Sequence, residues 1–257
     1  DTLYECNGYN SNEWCWDRLS RATNFIMLAL KLGLSLVSTP IVGVDWSPDD
    51  ETSLVAWYQN KVGIDLNGSD VSTWQDSAPL GSYDMVQATA SEQPAYSAGT
   101  LIFVSQSAPT ISTNLQTAAQ ITLPEDFTLG LRINTSTTNG SFLADNTSSN
   151  EFFKYSSASR VLFKIAGSAS TALDLDSGTF GDDYIVITRV SDVLTLHKNG
   201  VAQTGTTPTL AGTSLIDVIG LRETDKNGFD GTIKEIQIYS SSTPDLTANI
   251  NDRLSTL

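Results

Sequence analysis

Between Ser53 and Tyr239 apolar and polar side chains alternate with a period of two, the spacing of half-buried β-strands. The alternation predicts strands over 54–58, 71–77, 87–96, 101–104, 127–133, 141–144, 152–155, 161–165, 183–190, 193–198 and 215–221, with a turn at Pro79 to Gly81. Asn199-Gly200 between two such runs is a strong hairpin signal, because both central residues of the turn need positive φ. After a second Asn-Gly, at 227–228, comes the run that organises the rest. On strict alternation Phe229, Gly231, Ile233, Glu235, Gln237 and Tyr239 share one face, and Asp230, Thr232, Lys234, Ile236 and Ile238 share the other. Both faces carry apolar residues, so this strand belongs between two layers and not at an edge. About a dozen short strands separated by turns predict an all-β chain, a two-sheet antiparallel jelly-roll sandwich.

The two ends break the period of two. Apolar residues at 14, 19, 22, 25, 26, 29, 30, 32 and 36 have helical spacing, with Arg18, Arg21 and Lys31 interrupting. Ser11 or Asn12 caps that helix, Gly33 weakens its end and Pro40 stops it. The apolar run starts too far from Asp1 for a signal peptide, and Asn24 and Lys31 spoil a membrane span. Its core, 25–30, is apolar all round and needs cover, either from a partner subunit, the preferred reading, or from its own domain. Trp14, Leu19, Phe25, Ile26 and Leu30 are the candidate assembly residues. Residues 1–48 are accordingly expected to be an attachment segment and 49–257 the sandwich domain. At the other end Ser242 or Thr243 caps a short helix, Pro244 suits its first position and Asp245 its dipole. Leu246, Ile250 and Leu254 form its apolar stripe.

Three stretches carry a family resemblance: L-V-A-W-Y at 54–58, V-S-T-W-Q-D-S at 71–77 and Q-A-T-A-S-E-Q-P-A-Y at 87–96. With F-D-G-T-I-K-E-I-Q-I-Y at 229–239 and the L-T-L-H-K-N-G-V hairpin at 194–201, they resemble laminin-G-like domains of the concanavalin A-like lectin/glucanase superfamily. The particular resemblance is to such domains in phage virion and bacterial surface proteins. It spans roughly residues 53–257 and implies a concanavalin A-like jelly roll, a Ca2+ site at the loop rim and a role in glycan binding or particle assembly.

Composition narrows the function. Asp and Glu number 29 against 14 Lys and Arg, a formal charge of −15 that repels nucleic-acid backbones and anionic membranes. Charged residues are only 17% of the chain, and Ser, Thr, Asn and Gly are plentiful, as in extracellular or virion-surface β-proteins. Cys6 and Cys15 would close a small clasp if oxidised; a reduced pair reads equally well. Four Asn-x-Ser/Thr triplets, at Asn67, Asn134, Asn139 and Asn146, carry weight only in a secreted eukaryotic protein.

Candidate chemistry is sparse. The one histidine, His197, lies in a hairpin strand with no nucleophile beside it by spacing. Relatives that hydrolyse glucans carry an E-x-D run closed by a third carboxylate; Glu223-Thr224-Asp225 lacks the third, so an enzyme is not expected. Calcium candidates are Asp145 with Asn146, Asp182 with Asp183, and Asp225 near Asp217. Glycan candidates are Trp74, Tyr83, Tyr96 and Tyr155. The expectation is a non-enzymatic virion component, a capsid decoration, head-fibre or tail protein. It would join other virion proteins or its own copies through residues 1–48 and display a domain that touches host glycans. The alternative is a carbohydrate-binding domain of a secreted or cell-surface bacterial protein.

Overall fold

The computed structural model describes residues 46–106, 112–135, 138–165, 167–223 and 227–257, and the compact unit within it is Trp46–Leu257. The candidate assembly residues Trp14, Leu19, Phe25, Ile26 and Leu30, and Asp225, lie outside the described residues.

The strands are β1 (Leu54–Tyr58), β2 (Ile64–Asn67), β3 (Asp70–Trp74), β4 (Met85–Val86), β5 (Ala95–Ser97), β6 (Thr100–Phe103), β7 (Leu115–Leu123), β8 (Phe127–Thr135) and β9 (Ser141–Ala144). They continue as β10 (Phe152–Ser157), β11 (Arg160–Lys164), β12 (Thr171–Asp174), β13 (Asp182–Val190), β14 (Val193–Lys198), β15 (Val201–Ala202), β16 (Ser214–Ile219) and β17 (Gly231–Tyr239), before helix α1 (Pro244–Ser255). All pairings are antiparallel. One sheet runs β17-β8-β13-β14-β15, with β1 and β6 placed end to end along the free side of β17. The other runs β2-β3-β4-β7-β16-β9-β10-β11-β12. The short β5 joins them through β3 and β6. This is the expected jelly-roll sandwich.

Between the sheets Leu129, Leu131, Ile133, Ile185, Ile187, Ile236 and Ile238 meet Phe142, Phe153, Tyr155, Phe163, Ile216 and Ile219 in one buried cluster. Phe153 stacks on Phe163 at 4.2 Å between centroids, and Phe127 meets both edge-on. Arg189 is also fully buried; its guanidinium lies 5.1 Å from the Phe127 centroid and donates to the carbonyls of Pro124, Glu125, Leu210 and Gly212. A single side chain thereby ties two loops to β13.

Period-two reasoning assigned Ile233 and Ile236 to opposite faces of β17. The structure puts Ile233, Ile236 and Ile238 together in the main core, because the register against β8 shifts between Ile233 and Glu235. A bulge at Lys234 inverts the parity of everything before it. Glu235, Gln237 and Tyr239 then face outward, yet they remain buried, because α1 covers that side. Leu246, Ile250 and Leu254 pack there on Val186 and Tyr239, with Trp46, Leu54, Tyr184 and Leu257 at the margin. The helix starts as its sequence requires: Thr243 Oγ1 accepts from Leu246 N at 3.1 Å, with Pro244 next.

Gly130 lets α1 sit this close. A Cβ there would lie 2.5 Å from Ile250 Cγ2 and 3.4 Å from Leu254 Cδ1. Gly130→Val is expected to push the helix off and to cost about 1–3 kcal/mol in chemical denaturation. The same change should cost less on an Ile250→Ala background, where the space has been opened.

Candidate binding face

Among the described residues α1 packs on the outer face of the β17 sheet, and no α-helix packs on the outer face of the other. Its geometry follows from register. Val86 stands opposite Gln116, Gln116 opposite Val218, Val218 opposite Ala144, Ala144 opposite Phe152, and Phe152 opposite Lys164. Directly opposed residues share a face, so these six form one row across β4, β7, β16, β9, β10 and β11, about 24 Å at the usual strand spacing. Val218, Ala144 and Phe152, with Leu221, form a small cluster of their own, separate from the main core.

At the β4 end lies a cavity of about 450 Å3, lined by Gly81, Ser82, Asp84, Val86, Gln116, Thr117 and Ala118. Buried amides hold the polar side chains beside it. Gln87 Nε2 and Gln116 Nε2 both donate to Asn114 Oδ1 at 2.9 Å, Asn114 itself being fully buried. Asn146 Nδ2 donates to Gln116 Oε1 at 3.0 Å, and Asn146 N to Asp217 Oδ1 at 2.6 Å. Gln116 and Asn146 are half-buried ends of a rail whose inner members, Asn114 and Gln87, are buried. Burial raises the pKa of the Asp217 carboxyl and the charge of Asp145 adds to this, against hydrogen bonds from Asn146 and Gln120 that lower it.

At the other end Phe152 is buried beneath two cations. The Arg222 guanidinium lies 4.6 Å from the ring centroid and Lys154 Nζ 5.7 Å. Burial, and then the Arg222 charge, lowers the Lys154 pKa; burial lowers that of Arg222, with Glu223 acting the other way.

The expected glycan residues do not gather here. Trp74 is wholly buried, 5.5 Å from Tyr58 in ring centroids, with Nε1 donating to Gln59 O. Tyr155 is buried between Phe142 and Phe180, which raises its hydroxyl pKa. Both are core residues, because large aromatics on inward positions of a sandwich fill it before they can face a ligand. Tyr96 is half-buried on β5 against the core. Tyr83 is also half-buried, but its neighbours Ser82 and Asp84 line the cavity.

The calcium candidates are engaged by their own loops. Asp145 is buried, and its Oδ1 accepts from both N and Oγ1 of Thr147 at 2.7 Å. Asp183 accepts from Gly181 N and Asn199 Nδ2 and faces Lys198 at 3.4 Å, while Asp182 pairs with Arg132 at 3.0 Å. Among the described residues no three His, Cys, Asp or Glu side chains are grouped to hold a metal ion. None of their helices is long and apolar enough to cross a membrane.

His197 lines a second cavity, of about 500 Å3, between the β13–β14 hairpin and α1. Burial lowers its pKa. The lining groups Thr243 Oγ1, Thr247 Oγ1 and Asn251 Nδ2 are engaged within the helix itself, whereas Asn251 Oδ1 is buried without a partner.

Sequence reasoning missed Gln116, Lys154, Lys164 and Arg222. The strand holding Gln116, L-Q-T-A-A-Q-I-T-L, interrupts its alternation with three exposed residues, and the cations converge only through register.

No family model and no curated protein sequence matches the chain. Solved structures match it in shape. Trypanosoma rangeli sialidase in complex with sialic acid superposes with a TM-score of 0.51 at 14% identity, over 92% of this chain and 38% of the sialidase. The HCR/D-Sa-GBL1/C protein gives 0.51 at 14% identity, over 81% of this chain and 53% of that one. The chain thus spans well under two thirds of either. The likeness is one of fold.

Proposed function

We propose that the chain is a non-catalytic glycan-binding jelly-roll module that binds through the outer face of the sheet on which α1 does not pack. The observation that carries this is the amide rail ending at Gln116 and Asn146 beside the open cavity. Sugars present hydroxyls that donate and accept, and side-chain amides do both. Amides fixed by buried partners bind without first losing freedom, and the cavity is within the usual range for a small ligand. Tyr83, which lies between the lining residues Ser82 and Asp84 in sequence, packs against the core. The non-catalytic half is supported by His197, whose cavity lining includes no carboxylate, and by the sequence after Glu223 and Asp225, where no third carboxylate completes a spaced run.

The display of this module on a virion, with residues 1–48 as the attachment element, is the finer part of the reading. Its support is the apolar helical pattern at 14–37 and the resemblance to virion proteins. A secreted or cell-surface bacterial lectin has the same binding face and a different anchor.

The test is a screen of the full chain against immobilised oligosaccharides. Binding is expected, and Gln116→Ala should weaken it about tenfold, the loss of one or two hydrogen bonds to the ligand, in a protein that stays folded with a melting temperature lowered only modestly by the lost bonds to Asn114 and Asn146. A chain that binds no glycan, or a Gln116→Ala variant that binds like the parent, overturns the site. Release of reducing sugar from a bound glycan overturns the non-catalytic half.

A further inference from the structure

The charged end of the row carries an inference about which glycans fit. The chain has 29 acidic against 14 basic residues, and several of its cations pair with carboxylates. Arg132 pairs with Asp182, Arg160 with Asp174, Lys198 with Asp183 and Arg253 with Glu235. Around Phe152 the pattern differs. Lys154 Nζ donates to Asn139 Oδ1 at 2.7 Å, Lys164 Nζ to Asn150 Oδ1 at 2.9 Å, and Arg222 Nη1 to Ser149 O at 3.3 Å. All three of these hydrogen-bond partners are neutral oxygens, although the Glu223 carboxylate also acts on Arg222.

Nor are these cations spread out. Lys164 stands opposite Phe152 on β11 and Lys154 follows two residues later on β10, a diagonal pair about 7–8 Å apart on one face. Arg222 and Lys154 share the Phe152 ring, a placement that brings like charges together at half-buried positions. An anion set among them would relieve that repulsion and accept from several donors at once.

We infer that Lys154, Lys164 and Arg222 form an anion subsite at one end of the binding face, so that the ligand is an acidic polysaccharide. Its carboxylate or sulfate groups meet the cations while its hydroxyls meet Gln116 and Asn146. This rests on the glycan-binding reading above. A glycan suits the face better than a nucleic acid, because its hydroxyls can both donate to and accept from the Gln116 and Asn146 amides beside the cations. The lowered Lys154 pKa, caused first by burial and then by Arg222, agrees with two cations held close.

The experiment uses the full chain over four immobilised polymers: polygalacturonate for carboxylate, dextran sulfate for sulfate, plain dextran for hydroxyl alone, and oligothymidylate for nucleic-acid phosphate. A panel of neutral oligosaccharides runs beside them. Retention on polygalacturonate or dextran sulfate is expected, weakened by salt, with none on oligothymidylate. The Lys154→Gln/Arg222→Gln variant should bind the retained polymer at least about tenfold more weakly, through loss of charge-assisted bonds. The Lys61→Gln/Lys234→Gln variant, which removes equal charge elsewhere, should bind as the parent does. Equal loss in the two variants, no retention on either acidic polymer, or equal retention on oligothymidylate overturns the subsite. Binding of neutral oligosaccharides without the acidic ones would leave the glycan reading standing while the subsite falls; binding of nothing would end both.

Discussion

Ile236→Asp is expected to destabilise the sandwich by at least about 4–5 kcal/mol, because it places an unpaired carboxylate where no water reaches. Ile236 is fully buried, with Tyr58 opposite it on one side and Leu131 on the other. Its side chain enters the cluster that both sheets share. For a domain of this size each kcal/mol moves the melting temperature by about 2–4 °C, so a drop of roughly 10–20 °C is expected, or failure to fold. Ile236→Val, which removes one methylene without adding charge, should cost only about 0.5–1.5 kcal/mol. An Ile236→Asp variant that melts with the parent would sink the two-layer assignment of β17.

Arg253→Ala should be nearly as damaging, at about 3–5 kcal/mol, because it strands the fully buried carboxylate of Glu235. The Arg253 Nε–H donates to Glu235 Oε1 at 2.5 Å and its Nη2 to Oε2 at 3.1 Å, and its guanidinium lies 4.9 Å from the Trp57 ring centroid. Glu235 also accepts from Trp57 Nε1 at 3.0 Å, Gln237 Nε2 at 2.8 Å and the Asn60 amide at 3.1 Å. Gln237 Oε1 in turn accepts from the Tyr239 hydroxyl. The helix is thus latched to β1 and β17 through one acid. A double-mutant cycle with Glu235→Gln measures the latch: Arg253→Ala should cost clearly less on that neutral background. Equal cost on both backgrounds would mean that Arg253 acts by packing alone.

Much of the β pattern is legible in the sequence alone. Strands such as β1, β8, β13 and β14 bury one face in a common core, and that burial imposes the alternation that sequence reading detects. The Asn199-Gly200 hairpin is legible for a stereochemical reason, since its φ values are 51° and 79°. The C-terminal helix is legible through its Thr243-Pro244 start and its Leu246, Ile250 and Leu254 stripe. β7 is not. Its Leu115, Ile121 and Leu123 enter the core, but the register against β16 shifts between Gln116 and Ile121, and Ala118, Ala119 and Gln120 in that irregular stretch are exposed.

The candidate site is scarcely legible at all. Trp74 and Tyr155 read as ligand aromatics and prove to be core, because type alone does not tell which way a strand residue points. Asn146 reads as a calcium candidate, whereas it donates to the Gln116 side-chain amide and to the Asp217 carboxylate.

The sequence by itself determined that the chain from Ser53 onward is a β-sandwich closed by a short helix. Local rules suffice for that: period, turn stereochemistry and capping each act within a few residues. Only the tertiary structure decided which sheet α1 docks on. It also decided the parity of β17, where the bulge at Lys234 brings Ile233 in beside Ile236. The meeting of Gln116 with Asn146, and of Lys154 with Arg222 over Phe152, belongs to the same level. Such neighbours come from distant parts of the chain, and strand order and register, which no local pattern encodes, are what bring them together.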